Sequence, residues 1–410
     1  GYRLASAEAI KTLRAMSSGI SLTDKVAMVK AAMTSLNSKV VAPYAQQIAG
    51  IAVEAVLSVK PSNSLNVDLK DIKVISKVGG TVDEMAIIPN HGIVLNQPII
   101  PGGPTRLEKA KVAFIQFQLS PPKTDMESSI VVTDYQQMDR ILREERAYIL
   151  NLIKRIKKTG CSVLLVQKSI LRDSVSEMAV HYLNKSKIMV IDKIERDEAD
   201  WLCRSLGCRP IADIDSFTDD KMATVELVEE RALDGTTSRL TVIEPSRKSA
   251  TCCVLVRGAN QVILDEAERS LHDCLCAVKC LVKEPAVIVG GGAGEGHASV
   301  AWSRLANELG SGANSRCLDA FADALLAIPT ILAENSGLSA IDLVTELRGR
   351  HVSESQSTGP YLGVNVRRGG CGDMREEGVL QPLHVSTSAI QLATEAVCMI
   401  LKIDDIVASR

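Results

Sequence analysis

Ala286-Val-Ile-Val-Gly290-Gly-Gly-Ala-Gly-Glu-Gly296 is the stretch on which the reading of this chain turns. Pro285 precedes a short apolar run, Ala286 to Val289, of strand character. The glycines end that run, and mainly helical patterns follow. A glycine loop lets backbone N–H groups approach a phosphate without side-chain obstruction. The N-terminus of a following helix, expected to begin near Glu295, adds a positive dipole. The plain alternative is a tight strand-to-helix turn. Three consecutive glycines exceed what a turn requires, which favours phosphate or nucleotide contact.

The same run invites a rival, a dinucleotide-binding oxidoreductase. That fold needs a second strand ending in an acidic residue ~20 residues further on, where it meets the ribose. Here the region holds Asn307-Glu-Leu-Gly310 at the end of a helical pattern, so the required βαβ context fails.

Upstream, Asn260 to Val282 reads as one long helix, with Leu264, Ala267, Leu271, Cys274, Val278 and Leu281 spaced by three and four. Its polar face carries Glu266, Arg269 and Asp273. Most such faces are merely solvated. The functional alternative is that Asp273 orients a water toward a γ-phosphate, the task phosphoryl transfer sets for the protein. Spacing does not choose between these. His272 stands beside Asp273, but adjacent helical residues point apart. Lys39, after Ser38 in Thr34-Ser-Leu-Asn-Ser-Lys39, is either an exposed lysine or a point charge that senses phosphate.

Further outward the chain divides. Its first eighty residues predict helices over 4–13, 24–33 and 43–59, a turn-rich break at 61–66, and short extended runs to Val78. Gly79-Gly80 marks a boundary. From Thr81 to about Arg247 the pattern changes. A strand is expected over 111–119, then a long helix Tyr135 to Lys158 striped by Met138, Ile141, Leu142, Tyr148, Ile149, Leu152, Ile153 and Ile156 and closed by Gly160. Strands at 162–167 and 188–191 alternate with helices at 173–184 and 196–206. That order is the signature of a parallel sheet with crossovers, so the segment reads as an inserted α/β domain. Thr251 to Val256 is a further strand. Beyond the glycines, helices are expected over 299–309, 317–333, 341–348 and 386–403, with an extended piece at 364–366.

Composition narrows the function classes. Over 410 residues, hydrophobic residues are 46% and charged residues 23%, the balance of a globular protein of two or three domains. Aromatics are 3%, so the core must be Val, Ile, Leu and Ala. A net charge of −2 argues against a nucleic-acid binder, which needs clustered positive charge. No apolar run approaches the ~20 residues of a bilayer span, so no membrane partner is expected. The opening stretch to Met16 carries charges throughout, unlike a signal sequence. The chain starts at Gly1 rather than Met and reads as part of a longer protein. Eleven cysteines include the adjacent Cys252-Cys253 and the helical Cys274, Cys276 and Cys280. Without paired C-x2-C motifs they read as reduced thiols of a cytoplasmic protein. Cys203 and Cys208, with His91, His181, His272, His297, His351 and His384, form no spaced metal constellation; no metal ligand is assigned.

Together these motifs resemble the group II chaperonin family. The resemblance rests on Thr34 to Lys39, Leu119-Ser-Pro-Pro-Lys-Thr-Asp125, Val254-Leu-Val-Arg-Gly258, Asp265 to Ser270 leading to Asp273, Gly290 to Ala293, Ala320 to Ala324, Leu332 to Gly337 and Ile400 to Asp405. Asp139 to Leu152 with Gln167 to Asp173 resembles one subunit type of the eukaryotic cytosolic ring. The resemblance implies a multidomain α and α/β fold. A mainly helical equatorial domain would comprise 1–12 and 283–410, a small intermediate domain 13–79 and 249–282, and an inserted α/β apical domain 80–248 with a helical protrusion at about 119–145.

It further implies an ATPase that assists protein folding in a hetero-oligomeric double ring, with unfolded clients such as actin and tubulin. By the resemblance, Asp273 activates the attacking water, Ser38 and Lys39 lie at the γ-phosphate, Gly290, Gly291 and Gly292 line the nucleotide, and Asn365 and Gln381 fall where the adenosine is contacted. The last position is usually acidic in the family, so Gln381 departs from the pattern. ATP and Mg2+ are the implied ligands. The family's phosphate loop and its Gly-Asp-Gly-Thr-Thr-type metal motif are absent from these residues and would lie before Gly1. This polypeptide alone is therefore expected to hydrolyse ATP poorly, leaving a client-binding role without turnover as the alternative.

Overall fold

The computed structural model describes residues 1–410 except 62–63, 89–91, 122–130, 133, 170–172, 234–238, 248–250, 309, 311, 354–358 and 409–410. Two compact units share the chain. One comprises Gly1–Val56, Pro61–Val67 and Arg269–Arg410, the other Leu57–Lys60 and Asp68–Glu268. The segments expected to form an intermediate domain are thus apportioned between the two.

The second unit is built on a six-stranded sheet, in the order Ile93–Leu95, Arg239–Pro245, Ala223–Ala232, Arg106–Ile115, Val163–Gln167, Met189–Ile194. The last three strands are parallel and the others antiparallel. The expected parallel sheet is therefore only half of what forms. The antiparallel pair Ala223–Ala232 and Arg239–Pro245 escaped the sequence reading, because a register shift between Val225 and Leu227 breaks the alternation of two.

The central strands are buried on both faces. Val112, Phe114, Val163 and Leu165 point into one core, which includes Trp201, Leu202 and Leu206 of helix Arg196–Leu206. Ala113, Ile115, Leu164 and Val166 point into the other, with Ile149, Leu152, Ile153 and Ile156 of helix Tyr135–Lys158. Successive strand residues face opposite ways, so one apolar run feeds both layers. Helix Tyr135–Lys158 has the bounds its stripe predicts, opened by the Asp134 cap on Gln136 N–H. Its two halves differ: the residues buried lie between Ile149 and Ile156, while Tyr135, Met138, Leu142 and Tyr148 are 83%, 47%, 40% and 45% exposed. Much of the expected protrusion, residues 122–130 and 133, lies outside the described residues. A smaller sheet pairs Ile72–Val78 in parallel with Cys252–Gly258, joining two segments far apart in sequence.

The first unit is mainly helical. Helix Tyr2–Met16 contributes Ala5, Ala9 and Leu13 to a core shared with Ala298, Trp302 and Ala306 of helix Ala293–Glu308, and with Leu318, Ala322 and Leu325 of helix Ala313–Leu325. Small residues at these contacts let backbones approach closely, which is how a core with few aromatics still closes. The helix expected over 317–333 is two, Ala313–Leu325 and Ala327–Asn335, with Pro329 in the first turn of the second, where its missing N–H costs nothing.

Helix Leu383–Ile400 buries Leu383, Ser386, Thr387, Ile390 and Thr394. It is the one helix among the described residues long and apolar enough by composition to cross a membrane, with 22% of that span buried. The sequence reading set its limit at about 20 apolar residues and passed over it. One such helix is a weak sign, since a packed helix of a soluble domain meets the same measure.

Strand Ala286–Val289 lies between two antiparallel neighbours, Ser18–Gly19 and Leu380–Pro382. No parallel βαβ unit surrounds the glycine run, which removes the oxidoreductase reading.

Candidate functional site

Asp273 is placed by the helix Gln261–Lys283, whose Leu264, Ala267, Leu271, Cys274, Val278 and Leu281 are all buried. That apolar stripe fixes the helix and turns Asp273 outward, where its side chain is 50% exposed. There it accepts a short hydrogen bond from Lys39 Nζ, a residue 234 positions earlier. The lysine is the more enclosed partner, 17% exposed. Lys39 follows helix Lys25–Leu36, which opens on Asp24 accepting from Val26 and Ala27 N–H. Turn bonds hold it in place: Lys39 N–H donates to Leu36 O at 3.1 Å, and Ala42 N–H to Lys39 O at 3.0 Å. Ser38 beside it is exposed. One residue from Asp273, Cys274 hydrogen-bonds Ser35, and burial pushes its thiol up to about 12, so it is no nucleophile at neutral pH.

The same helix end reaches toward the glycine run. Thr34 Oγ1 accepts from Leu380 N–H at 3.3 Å. Leu380 pairs with Val289, and Gln381 with Ile288, so the strand that touches Thr34 also flanks the residue before Gly290. Lys39 and Asp273 are thereby tied to the glycine bend through one intervening strand.

The glycines themselves have a packing reason. Gly291 and Gly292 hold φ of 69° and 75°, which L side chains rarely adopt. A Cβ on Gly292 would lie 2.9 Å from Pro329 Cβ, and one on Gly291 2.9 Å from Met374 Sδ. Gly290 N–H donates to Val379 O at 3.0 Å, and Gly291 O accepts from Val364 N–H at 2.9 Å. Turn and packing therefore account for the triple glycine without any ligand. What remains for an anion is narrower: the N–H groups of Gly291 and Gly292 donate to no protein acceptor among the described residues. They stand at the start of the 16-residue helix Ala293–Glu308.

Asn365 and Gln381 both join this network, already engaged. Asn365 is buried; its Oδ1 accepts from Arg367 and Arg368 N–H at 3.0 Å each, and its Nδ2 donates to Glu377 at 3.0 Å. It staples the turn between strands Leu362–Asn365 and Gly370–Asp373. Gln381 donates to Ser386 Oγ at 2.8 Å, and Ser386 in turn donates to Glu295 at 3.4 Å. Glu295 is the residue the sequence reading passed over. It lies inside the glycine-rich motif, is only 4% exposed, and burial lifts its carboxyl above the usual range. Only its place one turn into the helix hinted at a role.

A divalent cation finds little here. Among the described residues no group of three or more His, Cys, Asp or Glu is arranged to hold a metal, and Asp273 is committed to Lys39. These residues alone do not make the Mg2+ site that the resemblance implies.

One chain carries a helical unit with a glycine bend and an α/β unit, as a chaperonin does, and the chain belongs to the TCP-1/cpn60 chaperonin family, whose sequence profile matches residues 1–410. Among its relatives, T-complex protein 1 subunit delta of Homo sapiens is 49% identical over 410 residues, covering 100% of this chain and 75% of that protein. The subunit delta of Arabidopsis thaliana is 52% identical over 413 residues, covering 99% and 75%. The open-state monomer of a group II chaperonin from Methanococcoides burtonii matches the fold with a TM-score of 0.70 at 28% identity, over 98% of this chain and 91% of that one.

Proposed function

We propose that this chaperonin chain is a delta-type subunit of a hetero-oligomeric double ring in the cytoplasm, where ATP binding and hydrolysis drive client folding. The single observation that carries the ATPase reading is the Lys39–Asp273 ion pair. Two oppositely charged groups with separate tasks at a γ-phosphate neutralise each other while no nucleotide is present. An incoming phosphate competes for the ammonium of Lys39. The freed Asp273 carboxylate then orients, and accepts a proton from, the attacking water. Gly291 and Gly292 N–H groups, with the dipole of helix Ala293–Glu308, receive the phosphate oxygens. Mg2+ would supply charge neutralisation when bound.

Residues 1–12 and 283–410 are read as the equatorial domain, 13–79 and 249–282 as the intermediate domain, and 80–248 as the apical domain. Two chain crossings suit a lever that couples nucleotide to client. The exposed apolar half of helix Tyr135–Lys158 suits unfolded clients, actin and tubulin among the candidates.

The test is ATP turnover by this chain assembled with its partner subunits, with and without Asp273→Asn. The variant should lose on the order of 10²-fold or more of this subunit's turnover while client binding persists. Unchanged turnover would remove Asp273 from the mechanism. The polypeptide by itself should turn over little ATP, and ordinary hydrolysis by it would overturn that expectation. A client-binding subunit without turnover is the second reading, in keeping with the described residues holding no group of three or more His, Cys, Asp or Glu arranged for a metal. It predicts that wild type and Asp273→Asn behave alike.

A further inference from the structure

Eleven free thiols are spread over the chain, and two of them bracket one helix end. Helix Arg196–Leu206 ends at Gly207, whose φ of 74° and ψ of 24° are left-handed. The N–H groups of Gly207 and Cys208 both return to Cys203 O, at 2.9 and 3.1 Å. This cap brings the fourth-last helical residue toward the second residue past the end. In Cys203-Arg-Ser-Leu-Gly-Cys208 both of those residues are cysteines, and Cys203 packs against the buried cluster that contains Cys208. Cys208 is 6% exposed and belongs to the core beneath the sheet, while Cys203 is only partly buried at its edge. Cys203 thus lies nearer to solvent than Cys208.

We propose that Cys203 and Cys208 form a reversible dithiol–disulfide site that exchanges with low-molecular-weight disulfides such as oxidised glutathione. The Cys203 thiolate attacks one sulfur of the small disulfide. One glutathione thiolate leaves and takes up a proton, and a mixed disulfide remains on Cys203. The Cys208 sulfur, giving its proton to solvent, then attacks Cys203 Sγ and expels the second glutathione. Two protein thiols and one oxidised glutathione become one intramolecular disulfide and two reduced glutathiones, so atoms and electrons balance.

The neighbouring Cys208 holds the Cys203 thiol below its ordinary value, while Cys203 first, and then burial, push Cys208 up. That division suits an attacking and a resolving sulfur. Cys161 and Cys253, by contrast, are pushed up to about 12 by burial. The bond would close over the last turn of a helix that anchors its unit by other means too. Trp201 Nε1–H donates to Asp71 O at 3.1 Å, Arg204 pairs with Asp71, and Glu198 with Lys73. Oxidation would therefore fasten the turn next to those contacts rather than rearrange the fold.

The test equilibrates the native full chain with reduced and oxidised glutathione over a range of ratios, quenches with an alkylating agent, and maps every cysteine by mass. The expected result is a Cys203–Cys208 disulfide, reversed by excess reduced glutathione, at ratios where the other nine cysteines are still alkylated. Cys208→Ser should trap the mixed disulfide on Cys203, and Cys203→Ser should leave Cys208 reduced. Alkylation of both thiols at every ratio, or a mixed disulfide on Cys203 in the wild-type chain that never closes, overturns the proposal. Serine is close in size to cysteine, and circular dichroism of both variants shows that they fold before the maps are compared.

Discussion

The two-faced sheet around Phe114 and the bend around Gly291 solve opposite problems. In the sheet, neighbouring residues of one strand enter two different cores, and each needs only to be apolar and of suitable volume. At the bend, residues from five separate stretches meet, and each is held by a particular bond: Lys39 to Asp273, Thr34 to Leu380, Val364 to Gly291, Gln381 to Ser386. The first arrangement tolerates conservative exchange and fails when volume is lost. The second tolerates little exchange at single positions, although most of those positions contribute modestly to stability.

The largest effect expected from this contrast is Phe114→Ala. Removing a fully buried ring from the central strand should cost about 3–5 kcal/mol in chemical denaturation. A loss below about 1 kcal/mol would mean that the sheet's cores are not what holds the second unit together. Next come two glycines with the same backbone sign and different surroundings. Gly292 and Gly160 both hold positive φ, but only Gly292 would press a Cβ onto Pro329, whereas nothing lies within 4 Å of Gly160. Gly160→Ala should cost about 1 kcal/mol of backbone strain, and Gly292→Ala about 1–3 kcal/mol more from overpacking. Equal costs would show that the bend is loose, and that its glycines serve the ligand rather than the packing.

The smallest effect concerns Glu295. Its folded-state pKa is raised by burial above the ordinary 4.5, so the folded state favours the protonated form. That contribution is complete below 4.5 and is lost as pH climbs through the folded value. Glu295→Gln carries no charge at any pH, so relative to wild type it should gain stability as pH rises above 4.5, read from melting temperatures between pH 4 and 8. A variant less stable than wild type at pH 8 would mean that the ionised carboxylate is held by a partner, and that the site is more polar than its burial suggests.

Much of the sheet unit could be read residue by residue. Helices Tyr135–Lys158 and Arg196–Leu206 appear with the bounds expected, because an amphipathic stripe and a closing glycine are local signals. The pair Ala223–Ala232 and Arg239–Pro245 could not be read, because glutamates and arginines on its outer side and a bulge mask the alternation. At the candidate site, the motif segments pointed to Lys39, Asp273 and the glycines. Spacing alone favoured phosphate contact over a tight turn at the glycines, but left Lys39 readable as an exposed lysine and Asp273 as a solvated carboxylate. Glu295 and Glu377 went unremarked, since a carboxylate's burial and its hydrogen-bond partners are set by segments distant in sequence.

The amino-acid order by itself determined the element types, the inserted α/β segment between helical ends, and the family likeness, since these follow from periodicity, capping residues and motifs within a few turns of each other. Tertiary structure alone decided that Asp273 meets Lys39, that the triple glycine is filled from behind by Pro329 and Met374, and that the cap of one helix draws Cys208 back toward Cys203. The physical reason is that a hydrogen bond or a steric contact acts over a few ångströms between groups the chain may separate by hundreds of residues, and only the folded path brings them within that range.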